Sequence, residues 1–551
     1  MTAASSITKV DVESPPEKVA EDVQASKISE KEPEYPPLSK VIIVILALYL
    51  AIFLVALDQT IIGVAIPKIT DQFKSISDIA WYGSAYFLTS TALQPSYGRI
   101  YKIFSVKWGF LIAVLIFEIG SLICAVAPSS TVLIVGRAIA GIGVAGIFSG
   151  ALVIISFTVP LPKRPLVFGA FGMVWGIASI AGPLLGGAFT DGVSWRWCFY
   201  INLPIGGLSI AVIVFILRVP EKSEFSGTSV LERIKQLDLI GASLLIPAII
   251  CLLLALQWGG NKYPWNNSRI IGLFIGFGLL IILFVVSQVY LGEKATLPPH
   301  ILKKRTVLAA SLFALFFGGA FFLLVYYVPI YFQSVKGSSA MKSGIQLLPL
   351  MLATVVSSVA IGGMITAAGY YTPFLIASTA VAAIGAGLIT MFDVDMSNGK
   401  WIGYQIVAGA GVGAGFQVPM TAVQTVLKPE DIPVGTAAVM FFQTLGGALF
   451  IAVGQSVFQN GLIEGISKYT TGVDPVAIVG AGATEMRKVL SEVGKLDQLD
   501  GVIKSYMSGL RDSYRVSLAL MLVAFVSSLF LEWKSVKKAG GENKEAAIPA
   551  L

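Results

Sequence analysis

Three ionisable side chains, Asp58, Glu118 and Arg137, stand inside otherwise apolar runs. A charge at mid-bilayer costs about 2.5–3.5 kcal/mol on insertion scales and more in simulations. Such a group is expected to face the protein interior, where it needs a partner or a proton. A carboxyl that can take up and release a proton is what coupling to a proton gradient requires. Asp58 follows the largely apolar residues 41–57 and is placed near the far end of the first helix. Its bland alternative is an acid solvated at the outer interface. Glu118 is the one charge between residues 108 and 136; it either pairs with Arg137 or joins a proton path. Arg137 opens a glycine-rich helix, and a buried guanidinium calls for an acid or backbone carbonyls. Its alternative is an arginine snorkelling to the membrane surface.

The composition narrows the field. Of 551 residues, 55% are hydrophobic and only 13% charged, with a mean hydropathy of +0.80. Average soluble domains carry roughly 25% charged residues, so a soluble enzyme is excluded in favour of a polytopic membrane unit. The net charge of +7 is scattered singly between apolar blocks, unlike a nucleic-acid-binding patch. Cys124, Cys198 and Cys251 have no zinc-type or disulfide spacing, and His300 stands alone. No GxxxxGK[ST] segment is present to drive transport by ATP. No cofactor and no metal is therefore expected, and protons remain as the driving ion.

The elements that must position these residues are membrane helices. A span needs about 20 mostly apolar residues. Charge-free stretches recur along the chain, and the fifty positions 343–392 are split by Gly369–Pro373 into two helices. The total is about fourteen. The fold expected is all-α: a six-helix half over 41–217, a linker with an inserted helix pair over 218–291, and a second six-helix half over 292–532. Polar cytoplasmic tails occupy 1–40 and 533–551, and a long outside loop occupies 464–510. Within that loop, apolar positions from Met486 to Ile503 recur at helical spacing. Fourteen Lys and Arg in short loops on the side of the termini, against eight on the other, place both termini in the cytoplasm. The sequon Asn266-Asn267-Ser268 then lies outside, as a glycosylation acceptor.

Residues 139–148 (IAGIGVAGIF) and 407–416 (VAGAGVGAGF) match at an offset of 268, as do Pro165 and Pro433. Gly98-Arg99-Ile100 echoes Gly363-Met364-Ile365. Halves related by a constant offset indicate a repeat-built transporter with its path between them. At that offset Arg137 meets the uncharged Gln405, so proton chemistry is assigned to the first half. Helix five carries Gly172, Gly176, Gly182, Pro183, Gly186 and Gly187, a packed yet bendable helix suited to switching. Tyr86, Gln94, Trp175, Tyr327, Gln417 and Gln443 suggest a roomy, mostly apolar substrate path with few polar anchors.

At these residues the chain resembles the major facilitator superfamily, and in particular the fourteen-helix drug:proton antiporters of the fungal multidrug and toxin efflux type. The segments that carry the likeness are Leu57-Asp58-Gln59-Thr60-Ile61-Ile62-Gly63, Gly136-Arg137-Ala138-Ile139-Ala140-Gly141, Ala181-Gly182-Pro183-Leu184-Leu185-Gly186-Gly187 and Trp195-Arg196-Trp197 through Asn202-Leu203-Pro204. Their order and spacing are specific as a set. The resemblance implies a role in proton transfer for Arg137, an association of the Pro183 segment with antiport, and a conformational gate at Gly98-Arg99. The loop after helix two departs from the family pattern, because Lys102 stands where an aspartate is usual.

The function expected is proton-coupled export of amphipathic small molecules, such as toxic secondary metabolites or drugs, across the plasma membrane. Its partners are the lipid bilayer, the small-molecule substrate and protons, with no nucleic acid and no obligate protein partner. The rival readings are a siderophore or basic amino-acid transporter of a related fourteen-helix branch, set in the vacuolar membrane, and, in another class, a membrane receptor or membrane-embedded enzyme.

Overall fold

The computed structural model describes residues 36–75, 78–217, 229–260 and 263–538. Most of the two expected tails and residues 218–228 of the linker lie outside the described residues. In the first lobe α1 spans Leu38–Phe73, α2 Ile79–Ile103, α3 Val106–Val126, α4 Ser130–Thr158, α5 Arg164–Gly192 and α6 Asn202–Ile216. Then come α7 (Leu239–Trp258) and α8 (Ser268–Leu291). The second lobe holds α9 (Arg305–Ser334), α10 (Leu348–Ala368), α11 (Thr372–Ile389), α12 in two pieces (Asn398–Val412 and Val418–Val426), α13 (Ile432–Tyr469) and α14 (Leu499–Ser528). These fourteen rods are accompanied, among the described residues, by short connecting helices and by the helix Pro475–Glu492. We call the end where α1 begins and α14 finishes the tail side, and the opposite end the loop side.

Eleven of the helices are long and apolar enough to cross a membrane on their own. The others fall short for identifiable reasons. Helix α2 carries Tyr, Ser, Thr and Gln along its length, α12 is interrupted at Gly413–Gln417, and α14 begins with a polar segment outside the apolar layer. Helix ends follow local chemistry. Ser129 caps α4 by accepting from the Val132 N–H, and Asp238 caps α7. Gly369 closes α10 with φ +87°, a left-handed conformation that costs glycine nothing.

Packing repeats between the lobes. Helix α1 packs on α5 and α6, α2 on α4, and α3 on α4 and α6; in the second lobe α9 packs on α13 and α14, α10 on α12, and α11 on α12 and α14. Across the lobes α5 meets α10 and α13 meets α2, again a symmetric pair. The inserted helices α7 and α8 pack on each other, and α7 leans on α2 and α13. Ile275, Leu279, Ile282 and Leu283 of α8 are exposed, a surface that only lipid solvates well. Asp238 accepts from Gln288 Nε2 (2.7 Å) and the Thr296 N–H (2.8 Å), which pins α7, α8 and the segment leading to α9 together.

The lobes fuse on the tail side. One buried cluster joins Val44, Phe110 and Phe168 of the first lobe to Val307, Val423, Ile432 and Val439 of the second. The loop-side cluster around Ile61, Tyr82, Leu133, Trp195 and Phe199 draws on the first lobe alone. At Gly98 a β-carbon would lie 2.6 Å from Ala437 Cβ, and at Gly362 it would overlap the Pro165 carbonyl. Both glycines let tail-side helix ends from opposite lobes touch.

Three expectations are corrected. Helix α1 begins at Leu38 and continues to Phe73, because apolar residues persist past residue 64; Asp58 therefore sits fifteen residues before its end, not near it. Helices α13 and α14 extend into the segment assigned to a loop over 464–510, since Gly465 and Gly509 allow the two rods to stay in contact beyond the apolar layer. The amphipathic stretch from Met486 to Ile503 is not one helix. It is broken at Gly494 (φ +67°) between the helix Pro475–Glu492 and α14.

The α3–α4 contact yields a test. A β-carbon at Gly143 would sit 2.5 Å from the Phe117 nitrogen. Gly143→Val should cost about 1–3 kcal/mol by overpacking, read as a lowered unfolding midpoint of the purified protein. Gly207→Val, with open space around it, should leave that midpoint unchanged.

Candidate functional site

Asp58 of α1 and Arg137 of α4 form an ion pair through Asp58 Oδ2 and Arg137 Nη1, with side chains 0% and 1% exposed. Arg137 has two further partners. Its Nε donates to the Tyr82 carbonyl (2.8 Å), and its guanidinium lies 4.2 Å above the Tyr86 ring centroid. An acid, a carbonyl and an aromatic face from α1 and α2 thus surround one buried cation, each a recognised way of offsetting its desolvation. Asp58 Oδ1 accepts from Asn202 Nδ2 (3.3 Å) at the start of α6, and the same amide donates to Ser121 Oγ of α3 (3.1 Å). Glu118 is also buried, yet neither carboxyl oxygen has a hydrogen-bond partner. Arg137 therefore pairs with Asp58 and not with Glu118.

Helix α5 buttresses this site. Gly182 abuts the Thr60 side chain, and a β-carbon at Gly186 would lie 2.9 Å from the Ile61 carbonyl, so α5 rides on α1 within three residues of Asp58. Thr60 Oγ1 also donates to the Ala178 carbonyl (3.1 Å). Gly172 and Gly176 point the other way, against Ser358 and Val355 of α10 in the second lobe. Pro183 lies inside α5 without ending it, and a β-carbon at Gly187 would meet open space.

The remaining candidate path residues do not form one group. Tyr86 belongs to the ion-pair site. Buried Gln94 accepts from Thr444 Oγ1 of α13 across the lobes (3.3 Å). Trp175 stacks on Phe148 (6.3 Å between ring centroids), and Gln417, in the break of α12, donates to the Ser358 carbonyl (2.6 Å). Gln443 is buried on α13, while Tyr327 sits in the second lobe against Phe458. Asn266 is exposed at the loop side.

On the tail side Lys102, at the end of α2, pairs with Asp431, at the start of α13 (2.7 Å). Arg164 Nη1 donates to Gln424 Oε1 (3.1 Å), a second polar contact between lobes. Arg99 turns to the inserted pair instead, donating to the carbonyls of Glu293 (3.0 Å) and Gln236 (3.3 Å). The lysine that breaks the family pattern thus has an acid on the opposite lobe. Sequence reasoning missed Asp431, Asn202 and Ser121 as site residues. Their signal was their setting: Asn202 is the one amide in a segment that turns apolar, and Asp431 stands two residues before Pro433, the repeat partner of Pro165.

Two lobes related by an internal repeat, fused at the tail side, with a buried acid–guanidinium pair inside the first of them, define a membrane transporter rather than an enzyme. Residues 48–451 match the Major Facilitator Superfamily, and the chain belongs to it. It is 53% identical over 498 residues to the MFS-type efflux pump MFS1 of Arthroderma benhamiae, covering 90% of this chain and 92% of that one. It is 48% identical over 500 residues to the efflux pump aflT of Aspergillus parasiticus (91% and 96% covered), and 47% identical to the efflux pump roqT of Penicillium rubens (90% of each). Among solved structures, the human organic anion transporter MFSD10 shares the fold at a TM-score of 0.59 and 14% identity (90% and 100% covered). The proton:xylose symporter XylE does so at 0.57 and 14% (92% and 99% covered).

Lys102→Asp or Asp431→Lys alone should loosen the tail-side closure. The double exchange should restore it, with a coupling of about 1 kcal/mol, or about fivefold in the closed-to-open ratio. Spin-label distances between the tail-side ends of α2 and α13 measure this; equal loosening by the double exchange would contradict the pairing.

Proposed function

We propose that the protein is a proton-coupled efflux antiporter that exports amphipathic small molecules, such as toxic secondary metabolites, across the plasma membrane. The observation that carries this reading is the buried Asp58–Arg137 pair. In an apolar interior the guanidinium is the direct partner of the Asp58 carboxyl. A proton arriving at Asp58 Oδ2 neutralises the carboxyl and releases Arg137 to its remaining partners, the Tyr82 carbonyl and the Tyr86 ring. Because Gly182 and Gly186 seat α5 directly on α1, and the opposite face of α5 bears on α10, a change at Asp58 reaches the lobe interface through two packed helices. Proton uptake at Asp58 and rearrangement of the lobes are then one event.

The relatives named as efflux pumps support the direction of transport. The excess of Lys and Arg on the tail side supports a cytoplasmic position for both termini, which puts Asn266 outside as a glycosylation acceptor. In that orientation the tail-side closure seals the cytoplasmic end of the lobe interface. No cofactor enters this scheme; the proton gradient supplies the free energy.

In proteoliposomes carrying an imposed pH gradient, movement of ethidium and a panel of aromatic metabolites should follow the gradient for at least one probe. Asp58→Asn should reduce that movement to the level of protein-free vesicles. Transport that ignores the gradient and survives Asp58→Asn would reject the mechanism.

A further inference from the structure

Glu118 is the ionisable side chain the scheme above leaves unused. It is 6% exposed, on α3, and both of its carboxyl oxygens lack hydrogen-bond partners. It faces α6 at Gly206, where a β-carbon would overlap the Glu118 carboxyl. The missing side chain at Gly206 is thus a cradle for this one group. One turn away on each helix, Ser121 of α3 and Asn202 of α6 are joined by a hydrogen bond (3.1 Å), and the same Asn202 amide reaches Asp58 (3.3 Å). Two matching rows result: Glu118 and Ser121 on α3 face Gly206 and Asn202 on α6. Asp58 of α1 is the charged group that acts on Glu118; around Asp58 itself stand Arg137 of α4, Tyr86 of α2, Cys124 of α3 and Cys198 ahead of α6. Helix α6 presents only the amide and the glycine.

The geometry points to a second proton-binding site at Glu118, positioned by Gly206 and linked to Asp58 through the Asn202 amide. The cation nearest at hand, Arg137, is already committed to Asp58, Tyr82 and Tyr86. An unpaired charge held in an apolar layer costs several kcal/mol, whereas a neutral carboxylic acid needs only one donor and one acceptor. The free Oδ1 of Asn202 supplies an acceptor in the same seam. Proton binding here forms one O–H bond on the carboxyl and its release breaks that bond, with no other reactant. The site rests on the proton-coupled reading for its purpose, because it gives the transporter capacity for two protons, one at Asp58 and one at Glu118. Its existence can be tested without transport.

The full-length protein, reconstituted in lipid nanodiscs, is examined by infrared spectroscopy for the C=O stretch of a protonated carboxyl, which is distinct from the carboxylate stretches. We expect one such band at neutral pH in the wild type, lost in Glu118→Gln and retained in Asp58→Asn. Gly206→Ala, which fills the cradle and leaves both carboxyls in place, should shift or remove the band. Glu118→Asp should restore a band at an altered frequency. Absence of any band in the wild type, or a band that persists unchanged through Glu118→Gln and Gly206→Ala, overturns the proposal. If export ignores the pH gradient while the band still depends on Glu118, the antiport reading falls and the proton site stands.

Discussion

The architecture depends on one constraint: two opposite charges must share an interior that solvates neither alone. Removing one member of a buried pair typically costs about 3–5 kcal/mol, because the other is left uncompensated. Asp58 and Arg137 meet that constraint with a direct ion pair, and Arg137 adds a carbonyl and an aromatic face. Around them α1, α2, α4 and α6 are fixed in position, for each supplies a contact to the pair. Under the proposed antiport, a proton delivered to Asp58 would therefore act on several helices at once.

The second lobe repeats this framework without its charge. Gln405, the counterpart of Arg137, donates to the Gln346 carbonyl at the start of α10 (3.0 Å), much as Arg137 donates to the Tyr82 carbonyl at the start of α2. Eleven residues beyond Gln405, at the repeat position of Phe148, Phe416 packs edge-on against Phe317 and Phe321 of α9 (5.2 and 4.9 Å). Gene duplication is a sufficient origin for the shared geometry, and the divergence divides labour. The first lobe keeps a buried ion pair, and the matching position of the second holds an amide.

Much of the fold was legible in the sequence, because an apolar solvent leaves a strong and simple trace: uninterrupted hydrophobic runs with punctuation such as Gly369–Pro373. The repeat was legible because close helix contacts demand glycine at fixed places, and Gly143 and Gly411 keep the same register against their neighbours. Helix ends beyond the bilayer were harder. Nothing in residues 464–510 distinguishes a loop from rods continuing into solvent, since their contacts are with each other. The ionisable members of the site were visible as exceptions to hydrophobicity, but their pairing was not. Asp58 and Glu118 are equally anomalous in sequence; only the fold decides which of them Arg137 meets. Lys102 looked like damage to a gate until Asp431, distant in sequence, supplied the opposite charge.

The central claim is that protonation of Asp58 biases the relative position of the two lobes. It is tested most directly by measuring the population of the tail-side-open state as a function of pH, with spin labels on the tail-side ends of α6 and α14 in nanodiscs and no substrate present. The account predicts a population that shifts with pH in the wild type and is pH-independent in Asp58→Asn. The same pH dependence in both proteins would contradict it.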